Sequence, residues 1–335
     1  METRKLTEGA LLSALQIVLG LILLPTGIGY SLYVELLLPV MMTVIYARCG
    51  RKIGFLAGMN TVILSIFCFG NVVSAIYIGQ ALGFGFLCGG LIQRKGGFRD
   101  DLMIASLIGC VFLLILDALT AQFVGYSLLD AAGLDEIFYR FLPDGTEEMF
   151  QIIFYISIAS VPIASVMMAY VGGLMLGHHM RLLRGEALEK YRMIHDFKVL
   201  APYHYHSKKV IYYAIGGILC CYFLWPFAKG GYLKAILATS GLVLLYFVLT
   251  DFIKLIAQYL IDLGKTPMIA SFFYFGVLIT LMNAFYITCG MIIIVGCLID
   301  VKASTRERQE QILKCYLKET IKVRKVGELK YGNRT

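Results

Sequence analysis

Charge is scarce in this sequence: Asp, Glu, Lys and Arg make up 16% of its 335 residues, where a soluble domain carries roughly 25%. With 59% hydrophobic residues and a mean hydropathy of +0.77, the chain is too apolar for a disordered, collagen-like or secreted protein, or for a soluble protein that binds nucleic acid. Signatures of chemistry are missing too. There is no Walker A loop, no His-Glu-x-x-His and no Gly-x-Ser-x-Gly, so neither an enzyme nor a cofactor is expected. Energy for moving any solute would have to come from a gradient or from another subunit. None of the nine cysteines forms a Cys-x-x-Cys pair, and seven lie inside apolar runs. That reads as buried thiols rather than a disulfide or metal framework. No Ala-x-Ala cleavage site follows the first apolar run, so that run is expected to stay as a span.

What fills the chain instead is long apolar runs, at about 8–24, 32–47, 53–69, 72–92, 102–123, 150–176, 210–227, 235–260 and 267–299. A helix crosses a ~30 Å hydrocarbon core with about 20 residues, so the fold class is all-α, a polytopic transmembrane helical bundle in a lipid bilayer. Lys and Arg then set its orientation. Arg4 and Lys5 precede the first run, Arg48, Arg51 and Lys52 follow the second, and Arg94, Lys95 and Arg99 follow the fourth. Seven more basic residues lie in 177–209. Between these, Pro25–Ser31 and Gly70–Asn71 carry no basic residue, and 124–149 sets Arg140 against six acids. Six spans starting and ending in the cytoplasm are expected.

Residues 301–335 carry ten Lys/Arg and four Glu, which places the tail in the cytoplasm as well. The last run, 33 residues long, would measure about 50 Å as one helix. A break near Asn283–Gly290 would resolve this and give ten segments. The chain thus divides into a six-helix membrane domain (1–180), a basic cytoplasmic linker (181–209), a second transmembrane block of three to four segments (210–300) and a basic tail (301–335). Ser304 and Glu307 have capping-box spacing. The tail helix they would open alternates apolar and basic residues, as a helix lying on anionic lipid or against a partner does.

Polar residues inside apolar spans are costly and point to sites. Glu35 and Asp117 fall towards the outer ends of their spans. Asn71, Tyr77 and Gln122 lie on the same side. Together these five are the candidate ligand-binding residues, lining one cavity open to the outside; alternatively each carboxylate caps a helix end. Asp251 and Lys254, spaced i, i+3, read as an ion pair on one helix face or as part of a relay. All five histidines fall within 178–206. His204-x-His206 has a ligand-like spacing, but no cysteine lies nearby, and a metal site is not expected. Small residues at i, i+4 recur in Ala10/Ala14, Gly79/Gly83, Gly85/Gly89 and Ala169/Gly173/Gly177. They suit either packing within the bundle or docking of another membrane protein, for which Ala10, Ser13 and Ala14 are the candidates.

The opening Arg4-Lys5-Leu6-Thr7-Glu8-Gly9-Ala10-Leu11-Leu12-Ser13-Ala14 resembles the start of the YybS-like family of uncharacterised bacterial membrane proteins. Gly296-Cys297-Leu298-Ile299-Asp300, with Arg306 beyond, resembles that family's ending. The layout between is also similar. That family in turn resembles the substrate-binding S components of energy-coupling factor vitamin transporters. The resemblance implies a six-helix S-component-like half with both ends in the cytoplasm and a ligand held near the outer face. It also implies a first helix whose Ala10-x-x-x-Ala14 docks on a coupling subunit. The 210–300 block and the basic tail are additions that an S component lacks. Two readings follow. One is a bacterial inner-membrane protein that binds or transports a small molecule; the other is a non-transporting scaffold recruiting partners through its linker and tail.

Overall fold

A computed structural model of the chain describes residues 2–23, 32–125, 127–129, 147–264, 266–303, 306–309, 311–313 and 315–316. Ser304, most of the 124–149 loop and Pro25–Ser31 lie outside the described residues, as does the tail beyond 316. The described residues are helical, with no strand among them. In order they form α1 (Glu2–Leu23), a π-helical stretch (Leu32–Leu37) running into α2 (Leu38–Cys49), α3 (Arg51–Phe69), α4 (Val72–Gln93), α5 (Phe98–Val124) and α6 (Glu147–His179). Two short helices follow, α7 (Glu186–His195) and α8 (Phe197–Leu200). The remainder is α9 (Lys208–Leu224), α10 (Gly231–Gly264), α11 (Pro267–Asn283) and α12 (Phe285–Lys302).

Eight of these helices are long and apolar enough to cross a membrane, and Leu38–Cys49 and Met268–Leu281 are shorter apolar helices. The chain is therefore a multi-pass, all-α membrane protein. Helix ends follow local chemistry. Gly70 closes α3 in the left-handed region at φ 61°, and Asn71 then caps α4 by accepting the Val73 N–H at 2.9 Å, satisfying one of the orphan donors of the new helix. Arg181, at φ 56°, ends α6. The Leu182 N–H reaches Gly177 O and the Arg181 N–H reaches His178 O, both at 2.9 Å, the two bonds of a Schellman turn. The apolar run at 267–299 is interrupted at Ala284, whose φ of −145° and ψ of 64° leave the helical region.

The chain forms two compact units, one of Met1–Arg192 with Ile215–Leu244 and the other of Met193–Ala214 with Leu245–Thr335. These do not follow the boundaries at 180 and 209 expected from composition. A change in charge marks where the chain leaves the apolar phase, but compactness follows contacts, and α9 and α10 each contribute to both units.

In the first unit, α2 and α4 are central. α4 packs on α2, α3, α5 and α6, while α2 packs on α1, α3, α4 and α6. Glycines permit this. A Cβ at Gly85 would overlap Pro39 O of α2, one at Gly89 would lie 2.7 Å from the Tyr46 Cβ, and one at Gly173 of α6 would overlap Thr43. Thr43 Oγ1 donates to Pro39 O at 2.8 Å and Gly85 O at 3.0 Å across that close approach. The Gly85/Gly89 and Gly173 spacings are thus used inside the bundle, where small residues let backbones approach.

The segment after α6 is fastened to this unit by a lysine. Lys190 of α7 is buried, and its Nζ donates to Leu91 O and Arg94 O at 2.7 Å and to Asp101 Oδ2 at 2.6 Å. An ammonium has three donors, and here all three are met. Two acceptors are carbonyls at the C-terminal end of α4, whose negative pole the ammonium complements, and the third is an acid in the first turn of α5, which complements that helix's positive start. Tyr170 donates its hydroxyl to the same Asp101 oxygen at 2.6 Å.

The second unit is organised around Arg306. Its Nε donates to Asp300 Oδ1 at 2.8 Å, its Nη1 to His206 O at 2.5 Å, and its Nη2 lies 2.9 Å from Asp251 Oδ2. Asp251, Asp300 and Arg306 are all buried. Asp251 Oδ1 also accepts the His206 N–H at 3.0 Å. Burial works against the charge on Arg306, yet Asp251 and Asp300 outweigh it and raise its pKa above the ordinary arginine value. Lys254, expected to face Asp251, donates to His204 O at 2.7 Å and to Ala201 O and lies 4.7 Å over the Tyr205 ring. The i, i+3 spacing puts the two charges on one helix face, and each also meets partners from other segments.

Candidate functional site

Within the first unit, α2, α4, α5 and α6 surround a cavity of about 440 Å³, a volume in the range of small-molecule sites. It lies at the end of the bundle where α4 begins and α5 finishes. The π-helical stretch and α2 bring Val34 and Pro39 to its wall. Widened turns of this kind recur at functional sites, and Pro39, without an N–H, sits at the start of α2 where its missing donor matters least. α4 contributes Ile76, Tyr77 and Gln80, α5 contributes Leu116, Asp117 and Thr120, and α6 contributes Val161 and Ser165. The wall is mainly apolar with a few polar groups from three helices, as ligand sites generally are.

Asp117 is held from several directions. Its Oδ2 accepts from Tyr232 OH at 3.0 Å and from Ser127 Oγ at 3.1 Å. The Leu128 N–H lies 3.0 and 3.1 Å from its two oxygens. Ser127 Oγ and Tyr232 OH are themselves 2.6 Å apart. This carboxylate both faces the cavity and ties residues 127–129 to its rim, with Leu128 also lining the wall. Among the described residues the other polar groups on the wall, Tyr77, Gln80, Thr120 and Ser165, are uncharged.

Of the five residues singled out in the sequence, Tyr77 and Asp117 come together on this wall. Asn71 is exposed at the cap of α4. Gln122 is exposed on α5 and is not part of the wall. Glu35 belongs to the π-helical stretch beside Val34, and its side chain lies outside the described structure. Sequence reasoning passed over Gln80, Thr120 and Ser165. The first two had a readable signal: each is a polar residue three positions, one helical turn, after a residue already chosen. Ser165 had none, because a serine in a span most often bonds its own helix.

The candidate docking residues on α1 divide between two faces. Ser13 is buried and donates to Gly9 O at 2.9 Å and to Ala57 O of α3 at 3.0 Å. Ala10 and Ala14 are exposed beside Leu11 and Leu15. In the histidine-rich segment, His204 stacks on Phe197 and His206 packs its edge on Phe247. Among the described residues no three His, Cys, Asp or Glu side chains gather as metal ligands would.

Residues 14–135 match the model of a family described as "Predicted membrane protein (DUF2232)". The match covers α2 to α5 and the end of α1 from residue 14, and so three of the four helices around the cavity. No curated protein and no solved structure matches the chain.

Proposed function

We propose that this chain is a bacterial inner-membrane protein that binds or transports a small molecule, taken up in the cavity between α2, α4, α5 and α6. The observation that carries this reading is the cavity itself: about 440 Å³, apolar-walled, with Tyr77, Gln80, Thr120 and Ser165 converging from three helices. On this reading the N-terminus and the tail are cytoplasmic, as the basic residues at 4–5, 48–52 and 94–99 favour, and the cavity opens outward. The first six spans act as an S-component-like half. The exposed face of α1 around Ala10 and Ala14 is where a coupling subunit or another membrane protein would sit. The basic tail would rest on anionic lipid.

The scaffold alternative draws less support, because the linker it relies on is built into the fold through the buried Lys190. The test is thermal unfolding of the full chain in mild detergent against pools of small metabolites. A ligand that binds only the folded state stabilises it by about 2.7 kcal/mol at a hundred times its Kd, and so raises the midpoint. A pool that stabilises the native chain and not a Gln80→Leu variant supports the reading. Stabilisation by no pool, with partner capture lost on removing 301–335, supports the scaffold.

A further inference from the structure

A second cavity adjoins the first. It is a groove of about 430 Å³ between α3, α4 and α5, lined by Met59, Val62, Gly79, Gly83, Phe86 and Phe112 among others, with no charged residue on its wall among those described. Ile76 and Leu116 line both cavities, so two apolar side chains are the partition between them. Along α4 the groove runs from Val72 to Phe86, about 21 Å at 1.5 Å per residue. One leaflet of a ~30 Å hydrocarbon core is about 15 Å deep. Gly79 and Gly83 form part of its floor because they have no side chain. The neighbouring Phe55, Leu56, Met59, Ile63 and Phe67 of α3 are exposed, as on a helix that faces lipid.

A chamber with polar groups next to an open apolar channel long enough to span one leaflet has the shape of an amphiphile. Among the described residues the chamber's wall carries no basic group to hold a phosphate. Asp117, the acid among those residues, is already bonded to Ser127, Leu128 and Tyr232. We propose that the ligand is an amphiphile with a neutral, hydroxyl-bearing head. The head sits among Tyr77, Gln80, Thr120 and Ser165, and its single alkyl chain lies in the α3/α4/α5 groove, passing between Ile76 and Leu116. The inference rests on the binding reading above and names its substrate class.

The test uses the full chain in phosphatidylcholine nanodiscs with two photoactivatable probes. One is an alkyl glucoside with a diazirine in its tail, the other a phosphocholine with the same tail. The glucoside should label groove residues at least tenfold more than the phosphocholine. Filling the groove, by Gly79→Phe or independently by Met59→Trp from the facing helix, should remove that labelling. Gln80→Leu should equalise the two probes. Equal labelling by both in the native chain, or labelling unmoved by either filling variant, overturns the inference. If a polar metabolite stabilises the chain under those conditions, the binding reading stands without it. If no molecule does, both fall.

Discussion

Each unit buries a basic residue, and the two do so differently. Lys190 gives its three donors to one carboxylate and two carbonyls at a helix end, so it mainly answers orphan backbone groups that already exist. Arg306 instead joins two buried carboxylates, Asp251 and Asp300, to the His206 carbonyl, using the guanidinium's fixed fork to reach segments far apart in sequence. Lysine serves a converging set of acceptors; arginine serves a divergent one. Both pin segments that lie outside the long apolar helices, α7 and the start of the tail, onto those helices. The first unit also holds the chamber between α2, α4, α5 and α6.

The comparison is most exposed at Arg306. Arg306→Met would leave two buried acids facing each other, and removal of one partner from a buried ion pair typically costs about 3–5 kcal/mol. In SDS-induced unfolding this should be the largest loss of any single substitution discussed here. Asp251→Asn together with Asp300→Asn should recover much of it. Hydrogen exchange should loosen in 193–214 and 245–316 while amides of α2 and α4 stay protected. Lys190→Met comes next. It strands one acid that still has the Tyr170 hydroxyl, so its loss should fall at or below the lower end of that same range of about 3–5 kcal/mol. Exchange should here rise around α4, α5 and α7. Equal losses for the two variants would break the contrast between one stranded carboxylate and two.

Gly85→Val should cost about 1–3 kcal/mol by overpacking, since a side chain there meets the backbone of Pro39 and the nearest atoms cannot yield. Asp117→Asn should cost about 1–3 kcal/mol through weaker bonds to Ser127, Leu128 and Tyr232, and should lower ligand affinity by disturbing the rim. Arg308→Ala removes an exposed contact with Asp262 and should change neither stability nor binding, as exposed pairs seldom contribute measurably.

Much of the fold could be read from the sequence because lipid imposes one rule along the whole chain. Runs of about 20 apolar residues fix the helices, and Gly70-Asn71 marks a stop and a cap in adjacent residues. Even the interruption within 267–299 announces itself by excess length, and it falls at Ala284, at the edge of the Asn283–Gly290 window. The pairings were another matter. Asp101 and Lys190 are 89 residues apart, and nothing local distinguishes Lys190 from the other bases of a charged linker. Asp251 had a neighbour at the right helical spacing, Lys254, and nothing local pointed to Arg306, which lies beyond the last span. Periodicity reports which face a residue occupies; which helix meets that face is decided by packing. For the same reason Tyr77 and Asp117 could be placed at one end of the bundle, while Gln122, a few residues along α5, turned to its exposed side.

The measurement that bears most directly on the central claim is mass spectrometry of small molecules released from the full chain after purification in mild detergent. The native chain and an Arg308→Ala control should release the same enriched molecule, and Gln80→Leu should release at least tenfold less of it. If all three release the same set in the same amounts, the cavity between α2, α4, α5 and α6 does not hold the ligand and the account is contradicted.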